Sequence, residues 1–293
     1  MTTSASEVVR IANIALGIRY ADESLRRPFS EAVSRFAVTG VDPEITITIE
    51  PMTDAHPPAG ELLFDSGAVW RAYENHGGFR IDCFSDVFGD LPYKIALFDR
   101  ELREGRILVR REVFADNEEM HALDYPLDEV LIAHFLGRGR GVELHGCGII
   151  DRDGRGQLFV GQSGAGKTTT ARVWLAEGHY EIVSDDRVIV RFVDGEWRMY
   201  GTPWHGEAEL SSPLSAPLGA IHLLVQASRT ELVALPPAQA TAALLGCTFP
   251  PFYDADAVAF TLECLERIVG DLPVRALRFR PDRSVIDCIR SAA

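Results

Sequence analysis

The stretch that most constrains this chain is Gly161-Gln162-Ser163-Gly164-Ala165-Gly166-Lys167-Thr168, which fits the pattern G-x-x-x-x-G-K-[ST]. Its surroundings have the order that the pattern needs. Leu158-Phe159-Val160 ahead of it reads as a short buried strand, and Thr168 to Glu177 behind it reads as a helix stopped by Gly178. In a strand, loop and helix of this kind the glycines let the backbone curl. Successive N–H groups and the positive end of the new helix then converge on one place, which suits a phosphate. The expected binding residues are Gly161, Ser163, Gly164, Ala165, Gly166, Lys167, Thr168 and Thr169. Lys167 would reach the β- and γ-phosphates of ATP, and the Thr168 hydroxyl would hold Mg²⁺. Of the 29 lysines and arginines only Lys94 and Lys167 are lysine. Arginine serves elsewhere, so a compact ammonium is expected where a point charge must fit between phosphates.

A second pattern lies downstream. Tyr180-Glu181-Ile182-Val183 reads as a strand that ends in Ser184-Asp185-Asp186. In a β-α-β unit the following strand runs parallel to the first, which brings both carboxylates to the crevice beside the loop. Phosphoryl transfer needs a Mg²⁺ ligand there and a group to take the acceptor's proton. Adjacent carboxylates repel unless a cation shares them. Upstream, Val142 to Ile150 reads as a strand carrying His145, and Asp151 to Gln157 as a turn. So short a turn makes an antiparallel pair with Leu158–Val160, which returns His145 to the loop end of its neighbour.

The remainder reads as scaffold. Up to 124 the chain is β-rich: a short apolar run at 11–18, a strictly alternating strand at 44–50, a Pro/Gly-rich break at 51–60, and strands at 68–73, 79–84, 93–98 and 106–111. One helix is expected around 30–36, and the arrangement reads as a meander with no catalytic constellation. Its His56, His76 and His121 read as surface or turn residues. Residues 125–136 read as a helix ended by the turn Gly137-Arg138-Gly139-Arg140-Gly141, so the domains are expected at 1–124 and 125–293. A hairpin is expected over 187–200, a loop over 201–209 that closes over something, strands at 221–225 and 274–279, and helices at 237–246, 254–269 and 284–291.

The chain has 293 residues and a net charge of −14. Such a surface repels nucleic acid and anionic membrane, so neither is expected as a partner. The cysteines, Cys83, Cys147, Cys247, Cys264 and Cys288, are odd in number and lack C-x-x-C spacing. They read as free thiols in a reducing compartment. The first residues carry no basic, apolar leader pattern, and no apolar run reaches membrane-span length, which points to the cytoplasm.

His145-Gly146, the loop 161–168 and Asp185-Asp186, in that order and at those separations, resemble the HPr kinase/phosphorylase family over residues 125–293. That family shares its nucleotide-binding core with ATP-dependent phosphoenolpyruvate carboxykinases. The resemblance implies an α/β fold, a P-loop kinase domain on a mixed sheet behind a β-rich N-terminal domain, and an oligomer. It implies transfer of the γ-phosphate to a hydroxyl of a protein serine or a small metabolite. Asp185 would take the acceptor's proton, Asp186 would help bind Mg²⁺, and His145 would contact the transferring phosphate. The sequence departs from the family in its loop ending in Thr168, and in the stretch Gly201–Glu209, which stands where the family carries a glycine- and arginine-bearing segment. Two further readings compete. One is a nucleotide-gated binding module with weak ATPase activity. The other is carboxykinase-like chemistry, whose second metal site the sequence does not display.

Overall fold

The computed structural model describes residues 6–53, 58–67, 69–178 and 180–292. His56, Ala68 and the first five residues lie outside them. The chain divides into two compact units, 1–132 and 133–293, each with its own mixed eight-stranded sheet. Among the described residues no helix is long and apolar enough to cross a membrane.

The first unit contains β1 (Glu7–Ile11), β2 (Ile14–Tyr20), β3 (Ile45–Pro51), β4 (Leu62–Asp65), β5 (Trp70–Asn75), β6 (Gly78–Cys83), β7 (Lys94–Phe98) and β8 (Glu104–Val109). In β3 the alternation works as its pattern predicts: Ile45, Ile47 and Ile49 are fully buried and the threonines between them half-buried. The run at 11–18 is not one strand. Ala12 and Asn13 both take positive φ and fold it into a β1–β2 hairpin. Nor is the sheet a simple meander. β4 to β8 follow one another antiparallel, but β3 lies parallel to both β2 and β8. Parallel neighbours need long connections, and β4 to β7 are laid down inside one of them.

His76 sits exposed in the β5–β6 turn, but the surface reading of His121 is overturned. Its ring is 3% exposed and packs 4.2 Å from Phe29. The His121 Nδ1 accepts the Leu123 N–H at 3.0 Å, so Nε2 carries the proton and donates to the Tyr20 hydroxyl at 3.0 Å. Tyr20 in turn donates to Glu7 at 2.9 Å. Sequence spacing gave no hint of this chain of bonds, because its members come from distant segments.

Helix α3 (Leu127–Gly137) follows two short helices, α1 (Glu31–Ser34) and α2 (Arg111–Ala115). The division at 132/133 falls inside α3, not before it. Leu127 and Leu131, on the first unit's side of the division, are fully buried, and His134, on the second unit's side, bonds Tyr253 at 3.0 Å.

The second unit is built on β9 (Val142–Ile150). β10 (Gly156–Val160) pairs antiparallel along one edge of its second half. β11 (Glu181–Ser184) and β12 (Arg187–Val193) pair antiparallel along its other edge. β10 and β11 therefore run parallel, as expected, with β9 between them. β13 (Glu196–Gly201) forms a hairpin with β12, and β14 (Ser215–Gln226) then pairs β13 with its first residues and β10 with its later ones. β9, β12, β13, β14 and β10 thus close into a ring filled by residues such as Leu144, Leu158, Val188 and Met199. β16 (Val274–Phe279) extends the sheet beside β14, with β15 (Glu231–Ala234) at its edge. Helices α4 (Lys167–Glu177) and α7 (Ser284–Arg290) cover one apolar face. α5 (Pro237–Leu245) and α6 (Ala255–Asp271) cover the other. Four of the cysteines are buried and all five are free thiols.

Burial holds the His121 pKa down to about 4, against an ordinary value near 6.5. The unfolded chain then binds more protons than the folded one between these values. Stability is present above about pH 6.5 and is lost as pH falls toward 4, by on the order of 3 kcal/mol. Urea unfolding followed from pH 7 to pH 4 should show this loss, and His121→Asn should flatten it. An unchanged pH slope in the variant would mean that His121 is not kept neutral by the fold.

Candidate functional site

The glycine-rich loop leaves β10 at Val160 and enters α4 at Lys167. Gly161 N–H donates to the His145 carbonyl at 3.2 Å, and Ala165 N–H to the Gln162 carbonyl at 3.0 Å. Gly164 and Gly166 take positive φ of 78° and 109°. A Cβ on Gly166 would stand 2.6 Å from the Phe279 ring, so both the backbone angle and the space require glycine. Gln226 Nε2 donates to the Gly164 carbonyl at 2.8 Å and ties the loop to the end of β14. The first bond of α4 runs from Thr170 N–H to the Gly166 carbonyl. Among the described residues, no acceptor serves the N–H groups of Ser163, Gly164, Gly166, Lys167 or Thr168. A curled run of unserved donors at a helix N-terminus is an anion cradle. Lys167 folds back over it, with Nζ donating to the Gly161 and Gln162 carbonyls at 2.9 and 3.1 Å. Burial pushes the Lys167 pKa down, a fall that Asp186 opposes and the Arg187 charge adds to. Lys94 is also buried, held by Asp124 in the first unit, so scarcity of lysine marks buried ammonium groups in general.

The three sequence motifs meet on β9. Val160 lies opposite Gly146, and Gly146 N–H donates to the Asp186 carbonyl at 2.9 Å. His145 Nε2 lies 2.9 Å from Asp186 Oδ1. Burial pushes the Asp186 pKa up, but the His145 hydrogen bond and the Arg187 and Lys167 charges outweigh it and hold the carboxyl below its ordinary value.

Asp185 goes elsewhere. It is 1% exposed, and its oxygens accept the N–H groups of Gly206, Ala208 and Leu210 at 2.9, 3.0 and 3.3 Å. An acceptor hydroxyl has no path to a carboxylate so enclosed, so the role of proton acceptor does not fit Asp185 in this geometry. The loop expected over 201–209 closes over Asp185, with Leu210 just beyond it adding a third N–H. Its start is fixed by Gly201, where a Cβ would lie 2.0 Å from the Ser212 carbonyl oxygen and 2.4 Å from that of Val183.

Three residues at the site carried no sequence signal of their own. Arg187 follows the aspartates and pairs with Asp186 through Nη1; its Nε lies 3.3 Å from Glu143. Phe249 lies under the Arg187 guanidinium at 4.1 Å and beside the His145 ring at 5.9 Å. It arrives because segment 247–249 pairs with β9: His145 N–H donates to the Cys247 carbonyl at 2.8 Å, and Thr248 bridges Leu144.

Among the described residues no group of three or more His, Cys, Asp or Glu could hold a metal ion. Nucleotide-bound Mg²⁺ does not need one, since it takes one or two protein oxygens and fills its octahedron with phosphate and water. The Thr168 hydroxyl and the Asp186 carboxylate are hard oxygen donors that fit this demand. No family model matches the sequence, and no curated protein matches it.

Replacing Asp185 with Asn should loosen the segment it holds. Hydrogen bonds to a charged group contribute about 1.5–3 kcal/mol, so amide exchange at Gly206, Ala208 and Leu210 should quicken by roughly tenfold to a hundredfold. Unchanged protection in Asp185→Asn would mean that other contacts order the segment.

Proposed function

We propose that the second unit is an ATP- and Mg²⁺-dependent kinase core that transfers the γ-phosphate to a hydroxyl. One observation carries the reading: Lys167, the N–H groups of Ser163, Gly164, Gly166, Lys167 and Thr168 that no acceptor serves, and the Asp186–His145 pair gather where the C-terminal end of β10 meets the middle of β9. The N–H groups bind the β- and γ-phosphates, and Lys167 neutralises them. Thr168 and Asp186 would hold Mg²⁺, which when bound draws charge from the phosphate oxygens. The transition state of such a transfer is loose, so positioning and charge do most of the work and the acceptor's proton leaves late. The Asp186–His145 pair takes that proton as one hydrogen-bonded unit. Asp185 shapes the acceptor side by ordering 206–210. The resemblance to HPr kinases supports the same chemistry with Asp186 likewise on Mg²⁺, but gives the proton to Asp185.

The enclosure of Asp185 also favours a second reading, a nucleotide-gated module in which 201–210 responds to what occupies the loop. The discriminating experiment supplies γ-labelled ATP and Mg²⁺ to the protein with a desalted cell lysate and, separately, with its small-molecule fraction. Label should enter a protein band or a small molecule, and Lys167→Ala should reduce it at least a hundredfold. Asp186→Asn should cost about 10²–10⁴-fold in kcat, the range of a general base, and more than Asp185→Asn costs. Release of free phosphate alone would favour the gated module. Full transfer by Asp186→Asn would reverse the aspartate roles.

A further inference from the structure

Resting on that reading, we propose that Arg187 is a second catalytic cation of this site, which contacts the transferring phosphoryl group and is parked on Asp186 and Glu143 until that group arrives. Its place in the fold is the first ground. Arg187 opens β12 directly opposite His145 on β9, and the His145 carbonyl holds Gly161, the first residue of the loop. One strand therefore separates Arg187 from the phosphate cradle.

Its charge environment is the second ground. Glu143 is 3% exposed and would be costly to bury without a cation. Arg187 shares its guanidinium between Glu143 and Asp186, with its Cζ over the Phe249 ring at 4.1 Å from the centroid. Contact with a ring face imposes no hydrogen-bond geometry, so the group can shift without losing that apolar floor. Asp186 is the same carboxylate that fits the metal. When its oxygen turns to a cation bound with the nucleotide, Arg187 loses one of its two anions just as new phosphate charge arrives nearby.

The sequence departs from the HPr kinase pattern at 201–209, where that pattern would supply its glycine- and arginine-bearing segment. Arg187 supplies a guanidinium from the body of the sheet instead. An arginine added to a P-loop site is worth about 10³–10⁵-fold in turnover where it has been removed. For a residue already paired in the resting state, the lower part of that range is expected.

The test compares wild type, Arg187→Lys and the double variant Glu143→Gln/Arg187→Gln. The double variant removes the buried Glu143 charge with its cation and leaves Asp186 its hydrogen bond to His145, and circular dichroism and thermal melting check that it folds. Two quantities are read: ATP turnover, divided into kcat and KM, and equilibrium binding of Mg·ADP with and without fluoroaluminate, a mimic of the transferring phosphoryl. In the folded double variant kcat should fall by a hundredfold or more, with KM for ATP within about threefold. The tightening by fluoroaluminate should be lost, and added guanidinium should restore turnover at least tenfold. Arg187→Lys, which keeps charge without the planar fork, should fall between. Turnover and fluoroaluminate tightening within threefold of wild type in the double variant would overturn the inference and leave the kinase reading standing. A wild-type protein that neither binds Mg·ADP nor turns over ATP would overturn both.

Discussion

The hydrogen bond from Gly161 N–H to the His145 carbonyl is the contact on which the site depends. It fixes where the glycine-rich loop departs from the sheet, and it does so on the strand that also carries His145 and receives the Asp186 carbonyl one residue later. Three segments far apart in sequence are thereby registered on two consecutive residues of β9. Because a strand rises about 3.3 Å per residue, a slip of one position would carry each of these groups past hydrogen-bond reach of the next. The closed ring of β9, β12, β13, β14 and β10 resists such a slip, since all five pairings would have to shift together.

Charge imposes the next constraint. Lys167, Arg187, Asp186 and Glu143 form two cations and two carboxylates with little access to water. They balance in sum but not in arrangement: Asp186 and Glu143 share Arg187, while Lys167 rests on loop carbonyls. A neutral but poorly matched set in a half-buried place is one that an incoming anion can rearrange at small cost. A set already matched in pairs would resist the same ligand. The first unit shows the contrast. Arg80 and Asp82 are buried and matched in a two-bond fork, an arrangement that holds a sheet together and offers nothing to a ligand.

What was legible in the sequence follows from where the information sits. The strand before the loop, the helix after it and its stop at Gly178 depend on local signals, and they stand where the pattern places them. The antiparallel return of His145 was legible because a short turn permits little else. By contrast, β14 extends over twelve residues because both of its halves find partners, and β15 exists only as an edge to β16. Neither partner can be read from the strand itself. His121 looked like a turn residue because its burial is made by Tyr20 and Phe29 from the opposite end of the unit. Arg187 looked like the start of an ordinary strand. Its contacts with Glu143 and Phe249 come from β9 and from the segment after α5, neither of which its own strand signals.

The two aspartates are the sharpest case, because they are neighbours with the same local propensity and opposite fates. Sequence could bring the pair to the loop but could not divide the work between them. The division is made by the backbone of 201–212, which pairs with β11 through Ser211 and Ser212 and is drawn tight at Gly201. Once that segment is seated, its N–H groups at 206, 208 and 210 need an acceptor, and Asp185 is the carboxylate within reach. Asp186 is then left to His145 and Arg187. Which aspartate stays beside His145 is thus decided by a segment whose first bond to Asp185, from Gly206, spans 21 residues. Anything that lifts that segment would strip Asp185 of its three N–H donors and leave a second carboxylate next to Asp186.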